Sequence, residues 1–116
     1  MEVDAAYREG LASLEGFSHL ILLYWLGPQS DALTIAPKFD GERQGVFATR
    51  APLRPNPIGL SVVSLERIEP GRLMVRNLDC LDGTPLLDIK PYLPSTDAEP
   101  DAAMGWLAAH RTRMPA

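Results

Sequence analysis

The chain lacks most of the features that announce a function at first sight. Cys80 is the only cysteine among 116 residues, which excludes an internal disulfide and any multi-cysteine metal site. His19 and His110 are the only histidines, and no HExxH or CxxC spacing occurs, so no metal site is expected. The longest apolar run, Leu20 to Gly27, falls far short of the roughly 20 residues that cross a bilayer, so no membrane partner is expected. The amino terminus, MEVDAAYREG, is acidic and carries no apolar segment; no secretory signal is visible, and the cytosol is the expected address. GxSxG, GxGxxG and Walker loops are all missing. A net charge of −4 has the wrong sign for a general nucleic-acid glue, which works by neutralising phosphates.

What is abundant is punctuation. Eleven prolines and nine glycines interrupt the chain too often for a helical bundle and suit a β-rich domain with short connections. Asp4 is placed to cap a helix carrying Tyr7, Leu11 and Leu14 on one face, with Gly16 to stop it. Phe17 to Leu26 reads as a strand buried on both faces, ended by Gly27-Pro28, and residues 28–45 read as a polar loop. Val46 to Ala48 reads as a short strand. Further strands are expected at Leu60–Ile68, Leu73–Leu78 and Leu86–Ile89, the first two joined by a type II turn at Glu69-Pro70-Gly71-Arg72. Pro91 and Pro94 break regularity, and Ala102 to His110 reads as a short helix after an acidic linker. The expectation is a mainly β domain, a small barrel or sandwich with one or two short helices. Residues 1–116 form that single domain, with 98–116 a peripheral helix and tail.

Charge is unevenly spread. Residues 1–37 carry one base and five acids, residues 38–76 seven bases, Lys38 included, and four acids, and residues 77–116 three bases and six acids. Within the basic third, Gly45 to Ser61 reads GVFATRAPLRPNPIGLS. Proline fixes its own φ and restrains the preceding residue, so the corner RPNP displays Arg54 and Asn56 with little entropy left to lose. Such a display suits a flat or anionic ligand, and a structural corner of the barrel is the plainer reading. A second unusual stretch, LDCLDGTPLLDIKPYLP, sets Asp79, Asp82 and Asp88 around a turn, followed by Lys90 and Tyr92. An Asx turn at Asp82 is its plainer reading. His19, inside an apolar strand, reads as structural, and Cys80 as an inert thiol.

In that order, FSHLILLYW, RQGVFATRAPLRPNPIGLSVV and LDCLDGTPLLDIKPYLP resemble the TsaA-like family, whose characterised members are TrmO-type tRNA methyltransferases. The resemblance runs from about Glu2 to about Asp97. It implies a small β-barrel, a homodimer, S-adenosylmethionine as cofactor, and N6-methylation of threonylcarbamoyl-adenosine beside the anticodon of a threonine tRNA. By motif, Arg50, Leu60 and the turn Leu81-Asp82-Gly83-Thr84 would lie at the cofactor. Arg54 and Asn56 would lie near the same pocket, and Lys90 and Tyr92 would support it. Asp82 is a conceivable proton acceptor, which with Arg54 and Asn56 makes the catalytic candidates. Family members open with further residues, an IGxIxSP-like strand and a PRQPG-like loop, whereas this chain starts near the helix before FSHL. Gly27 stands where many relatives have a histidine. Both departures imply an alternative: a shortened non-catalytic or S-adenosylmethionine-binding homologue that acts as a binding module.

Overall fold

Strand β1, His19–Trp25, is the axis of the molecule. In a computed structural model describing residues 1–36 and 41–113, β1 pairs antiparallel with β4 (Ile58–Glu69) on one side and β6 (Leu86–Pro91) on the other. Strand β5 (Arg72–Arg76) extends the sheet beyond β4, so the order is β5-β4-β1-β6. Lys38 lies outside the described residues.

The side-chain period of two along β1 decides the core. Leu20, Leu22 and Tyr24 point inward and join Val63, Leu73 and Leu14 in one buried cluster, each aliphatic contributing roughly 1.5–3 kcal/mol by leaving water. Leu11, Phe17, Leu78 and Cys80 pack over that face from the flanking segments. Ile21, Leu23 and Trp25 on the other face are only half-buried, and their β4 neighbours Ile58, Leu60 and Val62 are exposed. The expectation of a strand buried on both faces therefore fails for one face: among the described residues no second layer covers it.

The mainly β reading with short helices stands, but the four-stranded sheet is open rather than closed into a barrel or paired into a sandwich. Both edges are blunted. Residues 1–3 lie along β5, with Val3 N–H donating to Gly71 O (3.0 Å) and Leu73 N–H to Met1 O (2.8 Å). On β6 the Ile89 N–H is taken by the Asp88 carboxylate (2.8 Å), and Pro91 has none to offer. The β4–β5 hairpin turns through Pro70-Gly71 with Gly71 at φ 68, as a type II turn requires.

Other elements differ from the sequence reading for local reasons. The first helix is a 3-10 helix, Ala5–Leu11, with Asp4 at the N-cap position but no side-chain cap bond. Three residues per turn do not align Tyr7 with Leu11, so Tyr7 is exposed and Leu14 reaches the core from beyond the helix. Val46–Ala48 is a 3-10 turn and not a strand. The Thr49 N–H and hydroxyl both return to Val46 O (3.1 and 2.8 Å), occupying a carbonyl that a ladder would use. Within the expected loop, β2 (Thr34–Ile35) pairs with β3 (Gln44–Gly45), fastened by Arg43 donating to the Thr34 hydroxyl and carbonyl. Pro94 starts a one-turn helix, α1 (Pro94–Asp97), where a break was expected; proline's missing N–H is harmless at that position. The final helix is 3-10 and spans Gly105–Arg113.

Candidate active site

The proline corner and the Asp-Gly bend meet at one end of the sheet because β1 lies between the strands they lead into. Trp25 is opposite Ile58, the first residue of β4, and Tyr24 is opposite Leu86, the first of β6. The segments preceding both strands therefore flank the β1 exit, two strand spacings or about 10 Å apart. From the corner, Pro57 O accepts the Leu26 N–H (2.7 Å) and Arg54 O the Ser30 N–H (3.2 Å). From the bend, Pro85 O accepts the Trp25 N–H (2.9 Å).

Between the β1 exit and the bend lies an open hollow of about 390 Å³. Trp25, Leu26, Gly27 and Pro28 form one wall, and Leu81, Thr84 and Pro85 the other. Gly83 takes φ 86 at the third position of the bend, a conformation open to glycine at no steric cost. The bend is closed by the Thr84 N–H (3.2 Å) and hydroxyl (2.7 Å), both donating to Leu81 O. The Asp82 carboxylate takes no part in that closure, so the Asx turn is not how this bend is made. Asp82 is left exposed beside the hollow.

Two glycines shape the surroundings by absence of a side chain. A methyl group at Gly27 would collide with the Trp25 indole, so the missing side chain at Gly27 makes room for the Trp25 ring. A methyl at Gly59 would collide with the Tyr24 ring. Gly59 thus permits close approach of the Tyr24 ring and does not take a positive φ. Tyr24 is in turn fixed by its hydroxyl, which accepts from the Ser61 hydroxyl (2.6 Å) and donates to Asp79 O (3.1 Å).

Of the residues marked from the sequence, Leu81 and Thr84 line the hollow, with Asp82 and Gly83 between them. Leu60 is outside it, on the uncovered sheet face opposite Leu23; Trp25, two residues along that face, stands about 7–8 Å away on the diagonal. Arg54 is half-buried and its Nη1 donates to Thr49 O (2.8 Å) and Ala51 O (3.1 Å). Its guanidinium thereby holds the loop that carries exposed Arg50. Asn56 is exposed and accepts from the Gln29 side chain (3.2 Å). Lys90 and Tyr92 are not brought to the hollow. Lys90 is opposite Ile21 and pairs with Asp88 at 3.5 Å. Tyr92 packs edge-on to His19, with centroids 6.2 Å apart, at the end of β1 some 20 Å from Trp25 by strand rise. His19 itself is exposed and engages the hydroxyls of Ser18 and Ser64 instead of a backbone group. Among the described residues no group of three metal-binding side chains gathers. The wall Trp25–Pro28 was missed in sequence, where Gly27-Pro28 reads only as a strand end; a Gly-Pro step one residue after the aromatic pair Tyr24-Trp25 was the available signal.

Comparison with known proteins bears on this end of the molecule. Residues 1–98 match the family model described as the tRNA-methyltransferase O N-terminal domain. A Pyrococcus abyssi protein named a probable S-adenosyl-L-methionine-binding protein is 49% identical over 108 residues, 92% of this chain and 59% of the relative. An Eikenella corrodens tRNA (adenine(37)-N6)-methyltransferase is 59% identical over 76 residues, 62% of this chain and 43% of that enzyme. The crystal structure of TrmO from Pseudomonas aeruginosa is 46% identical and superposes with a TM-score of 0.72, covering 90% of this chain and 46% of its own. The chain thus spans roughly half the length of such relatives.

Proposed function

The chain belongs to the tRNA-methyltransferase O N-terminal domain family, and from that premise we propose that it binds S-adenosylmethionine at the β1 exit. Its reaction is N6-methylation of threonylcarbamoyl-adenosine beside the anticodon of a threonine tRNA, carried out as a homodimer in the cytoplasm. The observation that carries this reading is the hollow shared by Trp25–Pro28 and Leu81–Pro85, with RPNP bonded to the same strand exit. Relatives named for S-adenosylmethionine binding and for tRNA adenine methylation support it.

The chemistry of the hollow suits the cofactor. Its size lies at the lower end of small-molecule sites, and its lining is mainly apolar with few polar groups. Trp25 offers an aromatic face for a flat ring, and Leu60, next along the open sheet face, extends the surface to a ligand longer than the hollow. When bound, S-adenosylmethionine supplies a methyl group activated by a sulfonium.

The work left to this chain is positioning, since transfer needs nitrogen and carbon aligned at about 3–3.5 Å. Arg50 grips the threonyl carboxylate, a charge-assisted contact open to an exposed guanidinium. Arg54 positions that loop through Thr49 and Ala51, and Asn56 steadies the corner against Gln29. Asp82, at the rim, accepts the proton that N6 must shed.

Titration calorimetry with S-adenosylmethionine tests the site. The native chain is expected to bind, and Leu81→Ala and Trp25→Ala to bind at least tenfold more weakly. Absence of binding by the native chain rejects the site. Methylation of tRNA with and without prior threonylcarbamoylation tests the substrate; binding without transfer to either identifies the binding-module alternative instead.

A further inference from the structure

Arginines in the basic third of the chain fall into two sets that behave differently. On the β4–β5 hairpin, Arg67 pairs with Glu69 (3.2 Å), Arg72 with Glu2 and Glu69 (3.8 and 3.9 Å), and Arg76 with Glu66. In residues 43–57 there are three arginines and no acid. Arg43 and Arg54 there donate only to neutral oxygens, and among the described residues no carboxylate pairs with them or with Arg50. Among the described residues, that loop cluster is the place where arginines stand without an acidic partner.

Phe47 projects from the middle of it, 78% exposed. Singly exposed apolar side chains are ordinary; what distinguishes Phe47 is its mounting. Val46 on one side is fully buried, and its N–H donates to Leu33 O (2.9 Å). Thr49 on the other side is buried and closes the turn onto Val46 O (2.8 Å). The Trp106 indole N–H donates to Ala48 O (2.8 Å). A rigid turn thus holds one aromatic ring in solvent, with the Arg50 Cα at most about 11 Å along the chain.

We infer that Phe47 is a stacking platform for an unpaired base of the RNA substrate, a base next to the target adenine, with the positive charge of the surrounding loop cluster drawing the adjoining phosphates. Single-stranded loops are read in this way, by aromatic faces beside guanidinium groups. The inference rests on the proposed tRNA substrate and adds the residue that recognises the loop.

Fluorescence anisotropy with a labelled anticodon stem-loop RNA tests it, alongside calorimetry with S-adenosylmethionine. Phe47→Ala and Phe47→Leu are expected to raise the RNA Kd by about 5- to 150-fold, the range that stacking of one base is worth, without changing cofactor affinity. Phe47→Trp keeps RNA affinity within about threefold of native, and its added indole emission is quenched by the RNA. Arg76→Ala, on the neutralised hairpin, stays within twofold. If Phe47→Leu binds RNA as the native chain does, the stacking role is wrong while the substrate reading survives. If the native chain binds no RNA, both fail. If Phe47→Ala changes the sedimentation coefficient from that of the native assembly, the ring is a subunit contact and the inference is overturned.

Discussion

The two faces of the central sheet are about equally apolar and have opposite fates. Leu20, Leu22 and Tyr24 are at most 4% exposed, whereas Ile58, Leu60 and Val62 on the reverse are 41–48% exposed. Both sets alternate along the same paired strands, β1 and β4. The inner face is the core because Leu14, Phe17 and Leu78 close over it. The outer face carries the wall of the hollow, Trp25, and a cofactor candidate, Leu60. Apolar patterning therefore says where a side chain can be buried, and the surrounding layers determine whether stability or binding depends on it.

Substitutions can break that contrast. Leu22→Ala on the inner face should cost about 2–5 kcal/mol by urea denaturation, as truncations of buried leucine do; Leu23→Ala beside it should cost about 1 kcal/mol or less. Equal losses would mean that the outer face is covered too. Gly59→Ala should cost about 1–3 kcal/mol by forcing the Tyr24 ring out of place, and an unchanged midpoint would show that the ring yields. Tyr24→Phe should cost about 1 kcal/mol, removing the hydroxyl between Ser61 and Asp79. Leu60→Ala should lower stability by under about 1 kcal/mol yet weaken S-adenosylmethionine several-fold by calorimetry, the reverse of the inner-face signature. Lys90→Ala should fall within about 0.5 kcal/mol of native and leave cofactor affinity unchanged, because its pair with Asp88 is exposed and far from the hollow.

Much of this was readable in one dimension. The strands expected at 17–26, 60–68, 73–78 and 86–89 stand at 19–25, 58–69, 72–76 and 86–91, since apolar runs bounded by proline and glycine mark them, and Pro70-Gly71 marks its own turn. The bend at Leu81–Thr84 is likewise written in its glycine. Short segments misled where a hydrogen-bonding side chain competes with the ladder, as Thr49 does at Val46–Ala48, or where the helix period is three, as at Ala5–Leu11. The resemblance set Lys90 and Tyr92 of DIKPY in support of the pocket at the bend. An extended strand carries them about 3.3 Å farther with each residue, so Lys90 and Tyr92 end beside Ile21 and His19.

The linear order of residues determined the elements themselves, since alternation, proline and glycine act within a few positions of where they stand. It also determined that the stiff corner and the Asp-Gly bend each precede a strand. Only the pairing of β4 and β6 on either side of β1 brought those two segments to one end, and only packing left one apolar face bare and Phe47 in solvent. Register and coverage arise between segments far apart in the chain, which is why no local pattern of residues specifies them.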